Sequence, residues 1–213
     1  MKDTAKKILA KGGPFIGLIL VIVLFSIPTE TREFFLTYNN FKIIFTQTVI
    51  VAIGALGMTM IIVSGGIDLS VGSSIALTSV AGAMLIQRGW GAASVLLATV
   101  GTGAFIGLLN GSAIAGLRMT PFIITLGSLG VARGTAKWMA DNQTVNYDGS
   151  SINGWMTTAD PFSHALPAGV WVALGLAILT AVVLRNTVFG RHIFALGSNE
   201  ATARLCGIAT TRL

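Results

Sequence analysis

The chain has 213 residues, of which 53% are hydrophobic and only 10% charged, with a mean hydropathy of +0.79. Soluble domains carry about a quarter charged residues, so composition excludes a soluble globular protein and points to an all-α, polytopic membrane helix bundle. The formal charge of +6 comes without a basic-aromatic surface, which excludes nucleic acid as a partner.

About 20 apolar residues suffice to cross a bilayer, and six such runs can be read, at residues 13–27, 43–63, 71–87, 92–117, 121–140 and 165–184. Lys2, Lys6, Lys7 and Lys11 precede the first run, and no small-x-small cleavage site follows it. An uncleaved first helix with a cytoplasmic N-terminus is therefore expected. Residues 29–42 form a polar external loop. In the second run Gly54 and Gly57 interrupt the apolar pattern.

Between the second and third runs stands Ser64-Gly65-Gly66-Ile67-Asp68-Leu69-Ser70. Asp68 or Ser70 is placed to cap the helix that begins at Val71. Capping alone would account for Asp68, but an acid near membrane depth is costly and is by default a functional candidate, so a place in a translocation path stays open. In the fourth run Gly103, Gly107 and Gly111 lie four apart with Ala104 beside them, a face that predicts close helix packing. Asn110 lies next to this face. Pro121 opens the fifth run, where its missing N–H does no harm. Thr125, Gly127, Ser128 and Gly130 then leave that helix a slender polar side, suited either to a hydroxylated solute or to hydrogen bonds across helices. Residues 141–164 have loop chemistry and are expected outside.

The tail, GRHIFALGSNEATARLCGI at residues 190–208, is polar and helix-patterned directly after an apolar run. Asn199 can cap a short helix, and Glu200 and Arg204 form an i,i+4 ion pair. Alternating the spans from a cytoplasmic N-terminus places residues 1–12, the turn at 64–70, Arg118 and the tail from Arg185 inside. That face carries Lys2, Lys6, Lys7, Lys11, Arg118, Arg185, Arg191, Arg204 and Arg212 against Asp3, Asp68 and Glu200. The outer bases and acids cancel, so the whole formal charge lies inside, in keeping with the positive-inside rule.

The chain has no phosphate loop, no H-E-x-x-H, no G-x-S-x-G and no paired buried carboxylates, so neither ATP hydrolysis nor an enzyme's catalytic group is expected of it. His164 and His192 fall on opposite sides and build no metal site with each other or with Cys206. The single cysteine, Cys206, excludes an internal disulfide and is read as a small packing residue. No cofactor is expected.

Three blocks coincide in order along the chain: GMTMIIVSGGIDLSVGS from Gly57, Asn110-Gly111 with TPFIITLG from Thr120 and Arg133-Gly134, and the tail. Together they resemble the permease subunits of ribose/xylose-type sugar ABC importers, a family that includes autoinducer-2 and galactoside permeases. The resemblance runs from about Ile44 to Ile208. It implies a single permease domain over residues 1–213 in a bacterial inner membrane, with residues 1–12 cytoplasmic, 13–184 a membrane bundle and 185–213 a cytoplasmic coupling segment. It also implies partners: a separate cytoplasmic ABC ATPase, a periplasmic or extracellular sugar-binding protein, and a second permease subunit, identical or not, in the lipid bilayer. Gly190, Arg191, Gly197, Asn199, Glu200, Arg204 and Gly207 would then couple to the ATPase. Asp68, Ser70, Asn110, Thr125 and Gly127 would line the path or cap its helices.

Members of the family are longer, with more membrane helices after the coupling segment, so the chain is expected to be a fragment, a truncated product or one part of a split permease. Two other readings stand beside the importer: an ATP-independent secondary carrier or channel, and an inactive truncated permease. Retention of a nucleotide-binding partner through the tail separates the importer from the carrier. The sugar is left open.

Overall fold

The computed structural model describes residues 2–147 and 166–210, and among these it is helical with no strand. The order is α1 (Lys2–Ser26), α2 (Thr29–Phe35), α3 (Tyr38–Val63), α4 (Val71–Gln87), α5 (Ala92–Leu117), α6 (Pro121–Met139), α7 (Ala168–Asn186), α8 (Val188–Ser198) and α9 (Glu200–Leu205). The expected helical bundle is present.

Pro28 cannot donate a backbone hydrogen bond and disfavours helix in the residue before it, so α1 stops at Ser26. Pro28 becomes the N-cap of α2, and the chain bends by 119° between Phe15–Ser26 and Thr29–Phe35. Phe35 stacks on Phe25, with ring centroids 5.5 Å apart, and meets Phe41 at 6.1 Å, which pins the corner. Residues 29–42 are therefore not the loop that their polarity predicts. Thr37 Oγ1 accepts from the Asn40 N–H at 3.3 Å and starts α3 five residues before the expected apolar run.

By length and composition α3, α5 and α7 can cross a membrane, and the bent α1–α2 pair makes a fourth if taken as one span. The six predicted runs all become helices, but α4 has only 17 residues and α6 carries Arg133 and Lys137. In α3 none of the most apolar window is buried inside the chain, and in α5 only 6% is. Such faces are stable against lipid, not water.

The helices pack in two groups. In one, α4 lies against α5 and α6, with Leu77, Ala132 and Ala136 buried among Val80, Ile106 and Met139. In the other, α3 lies against α7, and α8 folds back onto both. The glycine faces pack less than their spacing predicts. A β-carbon at Gly103 would touch Thr78 and one at Gly54 would touch Ile75, but at Gly57, Gly107 and Gly111 it would meet nothing within 4 Å. Within the group of α4, α5 and α6 the tightest seat is at Gly82, where a β-carbon would come within 2.7 Å of Thr99 Cγ2. Helical spacing identifies a slender face but not the helix, if any, that lies on it.

Candidate functional site

The break between α3 and α4 forms a strap. Val63 ends α3, Ser64 Oγ donates back to the Ile61 carbonyl at 2.7 Å, and Gly65 takes φ +87°, a left-handed conformation suited to glycine. The Gly65 and Gly66 N–H groups then close on the Ile62 and Ile61 carbonyls, which satisfies the last turn of the helix.

Asp68 turns on itself: one carboxylate oxygen accepts from the Ser70 backbone N–H at 2.7 Å and from its hydroxyl at 2.6 Å. Neither side chain caps the first turn of α4, contrary to expectation. Ser70 is already helical, with φ −80° and ψ −11°, whereas a capping serine needs extended backbone to aim its oxygen at the following N–H groups. Its hydroxyl instead accepts from Asn110 Nδ2 on α5 at 3.0 Å, and Asn110 Oδ1 accepts a short hydrogen bond from Ser128 on α6. The donors run in one direction, from Ser128 through Asn110 and Ser70 to the Asp68 carboxylate.

Thr125 holds the other side of the strap. Its hydroxyl oxygen accepts from the Leu69 N–H at 3.1 Å and has the Ile67 and Phe122 carbonyls at 3.3 Å to donate to. Ser70 and Thr125 are 1% and 2% exposed and Asn110 is buried. Among the described residues no buried side-chain polar atom lacks a partner. The structure thus gathers four of the five predicted path or capping residues (Asp68, Ser70, Asn110 and Thr125) into a satisfied joint between strap, α5 and α6. Gly127 stands outside it, with open space around it. Ser128 completes the joint, and its i+3 spacing from Thr125 is the sequence signal for that place.

The tail is built on two glycines. Thr187 Oγ1 caps α8 by accepting from the Gly190 N–H at 3.1 Å while donating to the Val183 carbonyl at 2.6 Å. A β-carbon at Gly190 would overlap the Leu184 carbonyl, and one at Gly197 would overlap the Val63 carbonyl. Gly197 thereby seats the end of α8 on the first residues of the strap. Asn199 then caps α9 as expected, its Oδ1 accepting from the Thr202 N–H at 3.0 Å. Glu200 and Arg204 pair at 2.6 Å, and Arg204 Nε donates to Thr210 Oγ1 at 3.0 Å. Gly207, at φ +82°, ends the helix.

Arg191, Glu200 and Arg204 are exposed, as are Phe194 and, at 89%, Leu205. Cys206 is exposed as well. It is not the packing residue its small size suggests, because the one turn of α9 buries only Ala203. His192 is half-buried, and His164 lies outside the described residues, as does most of the expected external segment 141–164. Among the described residues no group of His, Cys, Asp and Glu can hold a metal. Sequence reasoning gave no sign of Lys42, which is buried with Nζ 4.9 Å above the Tyr38 ring.

At the far end of α4 a cleft of about 490 Å³ opens between α4, α5 and the segment after α6, lined by Thr78, Val95, Thr99, Thr144 and Tyr147. Gln87 Nε2 donates to the Asn146 carbonyl at 2.6 Å and pins that segment down.

The family model described as branched-chain amino acid transport system / permease component matches residues 40–213. The chain is 36% identical over 201 residues to the ribose import permease protein RbsC of Escherichia coli (strain K12), covering 92% of this chain and 62% of that protein. It is 34% identical over 206 residues to RbsC of Bacillus subtilis (strain 168), covering 97% and 63%. With the autoinducer 2 import system permease protein LsrC of Enterobacter sp. (strain 638) it shares 30% over 212 residues, covering 97% and 59%. The chain thus spans about three fifths of the length of the relatives it matches. No solved structure matches it.

Proposed function

Because the chain belongs to the family of branched-chain amino acid transport system / permease components, we propose that it acts as the permease subunit of an ATP-driven sugar importer in a bacterial inner membrane. The observation that carries this is the 36% identity to a ribose import permease over 92% of the chain. In this role the chain performs no chemistry of its own. A separate cytoplasmic ATPase grips the tail, a sugar-binding protein outside the cell delivers the solute, and a second permease subunit completes the path.

The tail suits such a grip. Asn199 and Gly207 stiffen the ends of α9, Gly190 and Gly197 fix α8 against α7 and α3, and Arg191, Phe194, Glu200, Arg204 and Leu205 remain exposed for a partner. A cytoplasmic tail is supported by charge: the strap, Pro121 at the start of α6 and Gly197 meet at one end, and Arg118, Arg185, Arg191 and Arg204 in the segments before α6 and in the tail favour the inside.

The test is reconstitution with the neighbouring subunits, using ribose as the probe. Ribose with the binding protein is expected to stimulate ATP hydrolysis and uptake. Glu200→Lys is expected to weaken retention of the ATPase by about tenfold, equivalent to ~1.4 kcal/mol, while membrane insertion is unchanged. Uptake that follows an ion gradient with the ATPase absent would overturn the proposal.

A further inference from the structure

The tail and the helices α4 to α6 belong to different packing groups, yet residues 64–70 touch both. At one end of the strap, Gly65 lies against Gly197, where a β-carbon on Gly65 would be 3.4 Å from the Gly197 Cα. One residue on, a β-carbon on Gly66 would be 3.7 Å from Cγ of Pro121, the first residue of α6. Thr125 then holds Leu69 by its N–H and faces the Ile67 carbonyl, and Ser70 reaches Ser128 through Asn110. A displacement of Gly197 thus meets strap backbone directly, with no side chain between them to give way. Beyond it lies a stretch that α6 holds directly at Thr125 and, one helical turn on, through Asn110 at Ser128.

We infer that the strap is the link by which movement of the tail reaches α5 and α6, with Thr125, Asn110 and Ser128 as the positioning residues that fasten it. The inference rests on the reading of the tail as the ATPase's docking segment. It gives the buried polar joint a mechanical role, in which its hydrogen bonds stay closed so that the strap pulls on α6 and does not slide past it. Packed elements pass on small displacements because interiors are close to incompressible, and the direct attachment at Thr125, with the second one at Ser128 through Asn110, makes α5 and α6 move with the strap.

The experiment uses the assembly purified with its ATPase partner in nanodiscs, with a spin label either at the native, exposed Cys206 or, in a Cys206→Ser background, at Val131→Cys on the exposed side of α6. In the unsubstituted assembly both labels are expected to change on adding ATP and vanadate. Thr125→Val is expected to keep the response at Cys206 and abolish it at position 131, and Thr125→Ser, which retains the hydroxyl, to restore it. An undiminished response at position 131 in Thr125→Val, or a tail that moves in the unsubstituted assembly while α6 does not, overturns the inference. Absence of any response at Cys206 in the unsubstituted assembly overturns the docking reading, and this inference with it. If Thr125→Val fails to insert, Ser128→Ala removes the second attachment with a smaller change: a reduced response at position 131 supports the link, and a full one overturns it.

Discussion

Asp68 carries two hydrogen bonds on a single carboxylate oxygen, both from Ser70. Hydrogen bonds to a charged group contribute about 1.5–3 kcal/mol, and a buried donor stripped of its acceptor costs about 1–3 kcal/mol. Asp68→Ala is therefore expected to destabilise the protein by about 2 kcal/mol, and Asp68→Asn, which keeps an oxygen in place, by less than half of that. Denaturant unfolding in detergent measures both, and equal losses would mean that the carboxylate does not hold the strap. The break that holds Asp68 and Ser70 is legible in the sequence, since an acid and serines interrupt two apolar runs. Their partners were not. Ser70 bonds to a side chain 40 positions away, and its helical dihedrals, which no local pattern reveals, turn its hydroxyl toward Asn110 and away from the helix start.

Within the tail, α9 is a single turn and a half that buries only Ala203, so its ends decide whether it forms. Loss of an N-cap costs about 1 kcal/mol. Asn199→Ala is expected to speed exchange of the Thr202 amide about fivefold, the equivalent of that energy, and Asn199→Asp to leave it unchanged, as hydrogen exchange would read. The ion pair between Glu200 and Arg204 differs in kind. Both side chains are about half exposed, and such pairs contribute about 0.3–0.5 kcal/mol, so Glu200→Gln is expected to leave thermal stability within about 0.5 kcal/mol of the parent. A docking defect at position 200 then reports on the partner surface and not on folding. Element boundaries followed the punctuation closely where it is strong, as at Pro121 and at Gly65. Where it is weak they did not: α2 is too short and polar to show a period, whereas Asn199 marks the start of α9 in the sequence as in the fold, and only the seat of Gly197 on the Val63 carbonyl, a contact between distant parts of the chain, has no local signal.

Across the whole molecule, packing gathers at one end three of the segments expected inside. Strap, start of α6 and tail share an end, and the segment that Gln87 pins lies at the other. A membrane-impermeant maleimide is expected to label Cys206 in inverted vesicles and not in intact cells, and the reverse pattern would remove both the orientation and the docking surface. Composition made the membrane bundle legible, because apolar runs of this length have few other stable settings. It could not show that the helices divide into two groups, since that depends on which faces meet. The division also sets an order of assembly. Helices α4, α5 and α6 follow one another along the chain and close on themselves, whereas α3 precedes them and waits for α7 and α8. As the ribosome delivers the chain from its N-terminus, α3 stands in the lipid without its companions until the tail emerges and Gly197 settles over Val63. Synthesis interrupted between α6 and α7 leaves that helix orphaned beside a finished trio, a half-built intermediate with an apolar face that has no protein partner.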